Sequence, residues 1–195
     1  ALNKETGINA GRLASHVAVI QVLTYHKLFV LSDAGLNIAP DLSGFVDIIN
    51  SAVSVSKVLG VATPKVALLA AVEKVYPDKM PCTATAALLS QMNRRGQIKG
   101  CIVDGPFGLD NAISAESARI KGIVSDVAGD ADVLIVPDIE AGNILYKCLL
   151  DLAQAKGAGI VMGAAKPVVL PSRADTAETK LASIALAALA GRRLG

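Results

Sequence analysis

Tryptophan is absent from this 195-residue sequence, and aromatic residues make up only 3% of it. A core must therefore be built from Val, Ile, Leu and Ala, which suits the strands of a parallel sheet covered on both faces. Charge is sparse as well. Charged residues amount to 18% against 52% hydrophobic, so apolar burial can offset the entropy of ordering, and disorder is excluded. The net charge of +2 comes from scattered basic residues, with Arg94-Arg95 and Arg192-Arg193 the densest pairs. Neither a basic stripe nor a set of stacking aromatics is visible, which argues against a nucleic-acid partner. The three cysteines, Cys82, Cys101 and Cys148, are odd in number and far apart. They fit no disulfide framework or metal-ligand spacing and read as buried thiols of a reducing cytosol. No run has the length of a membrane-spanning helix, and no charged-then-apolar leader precedes a small-residue cleavage site. The expectation is a soluble cytoplasmic protein with no membrane partner and no metal. The two histidines, His16 and His26, show no partnering pattern and read as structural.

What is present is a regular alternation. After a short Gly-containing opening segment, residues 17–23 and 28–31 read as two strands joined tightly enough for a hairpin. Residues 41–59 carry a helical stripe (Phe45, Ile48, Ile49, Ala52, Val53, Val55) closed by Gly60. A buried strand follows at 65–70. A helix over 83–94 ends at Gly96, with Arg94 and Arg95 in its last turn, where cations suit the helix dipole. Residues 101–103 read as a strand, 109–121 as a helix, 133–136 as a strand and 142–156 as a helix. Strands at 159–162 and 168–170 precede an Ala/Leu-rich helix from 176 to about 189. This order predicts an α/β fold with a mixed, mostly parallel sheet flanked by helices. No Pro-, Gly- or Ser-rich linker interrupts it.

Three strand ends look alike. The strand at 28–31 runs into Asp33, Gly35 and Asn37; that at 101–103 into Asp104, Gly105 and Asn111; that at 133–136 into Asp138, Glu140, Gly142 and Asn143. Asp, Asn and Gly serve as helix caps and turn formers, and capping is the plainer account of any one of these ends. In an open α/β sheet, however, ligands sit outside the carboxyl ends of the strands, so three such ends together predict one cleft. Asp138 and Glu140 would be crowded carboxylates there. Asn143 and the amides at 142–143 would meet an anion at a helix start, although no Gly-x-x-x-x-Gly-Lys-Ser phosphate loop is present. Further on, Pro171 ends a strand and presents Ser172 and Arg173. Arg suits a phosphate through its planar fork, and Ser can donate to a developing oxyanion. The plainer alternative is capping, with Thr176 at the N-cap and Thr179 or Glu178 as its partner.

These stretches resemble a known family. Residues 33–41 (Asp33-Ala34-Gly35-Leu36-Asn37), 136–147 (Pro137-Asp138-Ile139-Glu140-Ala141-Gly142-Asn143, then Tyr146-Lys147) and Ser172-Arg173-Ala174-Asp175 are similar to those of the phosphate acetyl/butyryltransferases. Val103-Asp104-Gly105-Pro106 and Gly129-Asp130-Ala131-Asp132 add to the likeness, and Asp138 favours the butyryl branch. The resemblance covers essentially the whole chain. It implies an isocitrate dehydrogenase-like (phosphotransacylase) fold and reversible transfer of a short acyl group between CoA and inorganic phosphate, with CoA as substrate and no cofactor. Direct attack in a ternary complex is implied. So are a cytoplasmic homodimer or higher homo-oligomer and a site between two α/β domains. On this reading Ser172, Arg173 and Asp175 are catalytic. Asp33, Asn37, Asp104, Gly105, Asp138, Glu140, Gly142, Asn143 and Lys147 bind acyl-CoA/CoA and phosphate.

The sequence departs from the acetyltransferase pattern at two places: Thr179 stands where the base is an Asp, with Asp175 and Glu178 as possible substitutes, and Asp151 stands in place of an Arg. The resemblance further implies that residues 1–175 form the second domain of a longer enzyme and 176–195 a helix returning to the first. The start at Ala1 agrees with a fragment. The alternatives are a non-catalytic module holding CoA or an acyl phosphate, a phosphate acetyltransferase, and an acyl-ACP:phosphate acyltransferase.

Overall fold

A computed structural model describes residues 11–194; the part of the expected opening segment before Gly11 lies outside the described residues. Six strands form one sheet in the order β4-β3-β5-β2-β1-β6. They are β1 (Ser15–Gln21), β2 (Phe29–Ser32), β3 (Lys65–Leu69), β4 (Ile102–Phe107), β5 (Val133–Ile135) and β6 (Lys156–Met162). The pairs β4-β3, β3-β5 and β5-β2 are parallel, and β1 runs antiparallel to both β2 and β6. The expected hairpin is thus present, and the mixed side of the sheet is the one that carries β1 and β6.

The aliphatic runs explain the layers. Val66, Ala67, Val133 and Leu134 are essentially without exposure, as central strands covered on both faces require. Helices α1 (Leu42–Val58), α2 (Pro81–Arg94) and α6 (Ala177–Leu194) cover one face. There Ile48, Ile49, Ala52, Leu89, Leu186 and Ala190 join Val30, Val66 and Ile135 in one cluster. On the other face Ala112 of α3 (Leu109–Ile113) and Tyr146 of α5 (Ile139–Lys147) pack with Leu31, Leu134 and Phe107, and α4 (Ala115–Ile120) follows α3 in the chain. Asp41 caps α1 by accepting from the Gly44 amide at 2.7 Å.

Four expectations need correction. The helix placed at 142–156 is α5 from Ile139 to Lys147, followed by a π-helical turn at Cys148–Leu152; the chain then reverses through Gln154 at φ 52° to enter β6. The strand placed at 168–170 is a single bridge, Val168 to Val161, because Pro167 and Pro171 carry no amide hydrogen for a ladder. The helix at 109–121 is broken at Ser114, which is extended and caps α4 by accepting from the Ser117 amide. The cysteines are unpaired but not buried: Cys148 is exposed, and Cys82 and Cys101 are partly so.

At the amino ends of β2, β3 and β5 a charge network ties neighbouring strands together. Lys27 reaches Asp130 and Asp132 at 2.7 Å each, and Lys65 reaches Asp130 at 2.7 Å. Asp132 also accepts from the Lys65 amide, and the Tyr25 hydroxyl donates to the Ala131 carbonyl at 2.8 Å. His26 meets Asp130 at 3.0 Å, in keeping with a structural role.

Candidate active site

β2 and β5 are adjacent, with Ser32 opposite Ile135, so the loops that leave their carboxyl ends meet. Asp33 organises the first loop from beneath. Only 3% exposed, its carboxylate accepts from the Gly35 and Leu36 amides at 2.8 and 3.0 Å and from the Asn37 side chain at 2.5 Å. The Asn37 amide group also donates to the Ala14 carbonyl. Asp138 caps α5 by accepting from the Ala141 amide at 2.8 Å. The second turn of α5 then lies against the first loop. A Cβ on Gly142 would stand 2.5 Å from the Asp33 carbonyl oxygen and 2.7 Å from Val136, and Asn143 donates to the Ala34 carbonyl at 3.2 Å.

Above this junction is a cleft of ≈ 280 Å³. Its walls are His16 of β1, the 34–36 loop, Asn143, Tyr146 and Lys147 of α5, Gly159 and Val161 of β6, Leu170, Pro171, Ser172 and Asp175 of the following segment, and Ser183 of α6. Ser172 and Asp175 form a turn: the Ser172 amide donates to the Asp175 carboxylate at 2.8 Å, and the Asp175 amide to the Ser172 carbonyl at 3.1 Å. The Ser172 hydroxyl accepts only a long contact from the Ala174 amide, 3.4 Å, which leaves its own hydrogen free to donate. Arg173 is exposed on the same turn. The Lys147 ammonium lies 5.5 Å from the centre of the Tyr146 ring. Burial, followed by the Asp175 and Asp151 carboxylates, pushes the Tyr146 phenol up to about 12, so it stays protonated. A second cavity of ≈ 570 Å³ adjoins the cleft and shares Lys147 and Asp175 with it.

The structure therefore brings together Asn143, Lys147, Ser172 and Asp175, with Arg173 on the same turn and Asp33, Asn37 and Gly142 shaping the wall. It does not bring in the third strand end. β3 and β5 separate β4 from β2, and Asp104 lies within β4 rather than after it. Its carboxylate accepts from the Ser125 hydroxyl at 2.6 Å and from the Gly105 amide at 2.9 Å. Gly105 is there for packing, since a Cβ would sit 2.7 Å from the Leu68 carbonyl. Asp138 is spent on capping, Glu140 is exposed, and neither lines the cleft. The amides at 142–143 are not a free helix start either: α5 begins at Ile139, and the Gly142 amide donates to the Asp138 carbonyl. The capping alternative also holds at α6, where the Thr176 hydroxyl accepts from the Thr179 amide at 3.2 Å; Glu178 pairs with Lys156 instead.

The residue missed from sequence is His16. It lies on β1, lines the cleft and stacks edge-on against Tyr146 at 5.7 Å. Burial holds its pKa below 6.5, against the opposing pull of Asp33 and Asp175. No local pattern marks it, because only the threading of β1 between β2 and β6 brings it there.

The family described as phosphate acetyl/butaryl transferase matches residues 1–188. A phosphate acetyltransferase of Thermotoga maritima is 53% identical over 188 residues, 96% of this chain and 64% of that protein. A phosphate butyryltransferase of Clostridium acetobutylicum is 50% identical over 188 residues, 96% of this chain and 62% of that protein. The chain thus spans less than two thirds of the length of these curated relatives. Among solved structures, a branched-chain phosphotransacylase from Enterococcus faecalis superposes with a TM-score of 0.87 at 36% identity, over 97% of this chain and 67% of that one. Among the described residues no helix is long and apolar enough to cross a membrane.

Proposed function

The chain belongs to the phosphate acetyl/butaryl transferase family, and from that premise we propose that its cleft transfers a short acyl group, butyryl or similar, reversibly between CoA and inorganic phosphate. One observation carries the proposal. Ser172 and Asp175 face Asn143 and Lys147 across a single cleft walled by the 34–36 loop, a convergence of donors and cations suited to a phosphate and an acyl carbonyl.

The roles follow from what each group has free. Arg173 extends from its turn into solvent, and its planar fork suits two phosphate oxygens. The Ser172 hydroxyl, with its hydrogen uncommitted, donates to the oxygen that becomes anionic as the carbonyl turns tetrahedral. Lys147 adds a positive charge between the two cavities, and Asn143 has its carbonyl oxygen left for a substrate donor. Asp175 fixes the Ser172 turn through its carboxylate and is a positioning residue in this reading. The larger adjoining cavity, lined in part by Leu150, Ala155, Ala158 and Ala182, receives the acyl chain. Acyl-CoA and phosphate are both held before transfer, so attack is direct.

We place the reaction in the cytoplasm of the cell, in a homo-oligomer, with residues 1–175 as the second α/β domain of a longer enzyme's type and residues 176–195 as a helix that would return to the first domain. The reaction is tested by incubating the chain with short-chain acyl-CoAs and phosphate and trapping acyl phosphate with hydroxylamine. Acyl hydroxamate should form, fastest with a chain near four carbons. Its absence for every acyl-CoA tried removes the reading.

A further inference from the structure

His16 is the one imidazole in the cleft, and beyond its edge-on packing against Tyr146 its ring nitrogens serve no structural bond among the described residues. Its Nδ1 is fully buried, and among the described residues neither Nδ1 nor Nε2 has a hydrogen-bond partner. A buried polar atom left unpaired costs about 1–3 kcal/mol, so a plain packing role is an expensive one for this side chain. The surroundings leave room for the ring on two sides with bare backbone. A Cβ at Gly159 would stand 2.8 Å from Nε2, and one at Gly35 would stand 3.4 Å from Cγ. Since Nδ1 is sealed, Nε2 beside Gly159 is the nitrogen that cleft contents can reach.

Ser172 is the oxyanion donor of this reading, and the titratable neighbours of His16 in the cleft are otherwise engaged. Asp175 holds the Ser172 amide, Tyr146 keeps its proton, and Lys147 stands over the Tyr146 ring. We propose, resting on the acyl-transfer reading, that His16 Nε2 is the proton-transferring group of the cleft. In the direction of acyl phosphate and CoA, the imidazole accepts the thiol proton as sulfur bonds to the acyl carbon. The bond from that carbon to the bridging phosphate oxygen breaks, and its electron pair leaves with the phosphate. The imidazolium then returns the proton to the departing phosphate, giving hydrogen phosphate and the thioester. In reverse, hydrogen phosphate gives up its proton to Nε2 and the leaving thiolate recovers it. No proton is gained or lost overall. Asp33 and Asp175 lie close enough to favour the imidazolium, Lys147 opposes it, and burial keeps the resting ring neutral.

The chain contains two histidines, so His26→Gln leaves a single imidazole signal by NMR. His26 sits on Asp130, away from the cleft. In that background the His16 signal should shift on adding CoA or inorganic phosphate, and should titrate below pH 6.5. His16→Gln should lower kcat by about 100-fold or more, with KM little changed, and should abolish the acidic limb of the kcat/KM profile. Added imidazole should restore part of the activity of His16→Gly. A wild-type chain that turns over every substrate while His16→Gln matches it in kcat and pH profile overturns the assignment to His16 alone. A His16 signal unmoved by both ligands overturns it as well, even where His16→Gln fails to fold. A wild-type chain with no turnover removes the acyl-transfer reading, and the proton-transfer role with it.

Discussion

Gly142 on α5 lies so close to Asp33 on the β2 loop that a Cβ would stand 2.5 Å from the Asp33 carbonyl oxygen. The two adjacent strand ends are locked by this contact into one wall, on which Asn143 and Lys147 are presented. Gly142→Ala should therefore push α5 away from the loop. Overpacking of this kind costs about 1–3 kcal/mol, and we expect a lowered Tm together with weaker CoA binding by calorimetry. An unchanged Tm would mean that α5 shifts freely and the wall is not rigid.

Asp33→Ala should be the more damaging change in the same wall. Its buried carboxylate accepts from three loop amides, those of Gly35, Leu36 and Asn37, and from the Asn37 side chain, and leaving those donors unpaired should cost about 2–3 kcal/mol. Urea unfolding measures the loss, and a cost under a few tenths would show that the loop finds other partners.

How much of this wall was legible beforehand varies by residue. Asp33 and Asp138 were visible because a short aliphatic run breaking into Asp and Gly is a local signal, and both residues do local work in turning the chain. Asp104 carries the same signal but sits in an edge strand that β3 and β5 separate from β2, and strand order is a non-local property that periodicity does not report. His16 was passed over for the same reason in reverse, since nothing near it in sequence contributes to the cleft it lines. The helix expected at 142–156 stops short because, although the apolar run Cys148-Leu149-Leu150 suits an α-helix, the chain must enter β6 at Lys156 and does so through a π-helical turn and reversal.

At the far end of the sheet, burial raises the Asp130 carboxyl, but hydrogen bonds from Lys27, Lys65 and His26 outweigh it and hold it well below the usual carboxylate range. A depressed folded-state pKa contributes stability above the unfolded value of 3.8, lost as pH falls through the folded value. Asp130 is 42% exposed, so solvent screening limits the effect to about 0.5–1 kcal/mol. Asp130→Asn should lower stability by that amount at neutral pH, and the gap to wild type should close as the pH drops below 3.8. A gap that persists in acid would point to lost packing rather than lost charge.

Arg173 makes no hydrogen bond or ion pair among the described residues and is exposed. Arg173→Ala should thus leave Tm unchanged within about 0.5 kcal/mol of stability, yet reduce turnover by about 100-fold. Ser172→Ala should reduce kcat by a similar factor through loss of one oxyanion donor. Stopped-assay kinetics on purified variants checks both, and wild-type rates in either would remove that residue from the site.

The most direct measurement is thiol release from butyryl-CoA with and without inorganic phosphate. We expect release only when phosphate is present, rising to saturation with its concentration, and lowered by about 100-fold by Arg173→Ala and by His16→Gln alike. Release that proceeds equally without phosphate, or none at any phosphate concentration, would contradict acyl transfer to phosphate in this cleft.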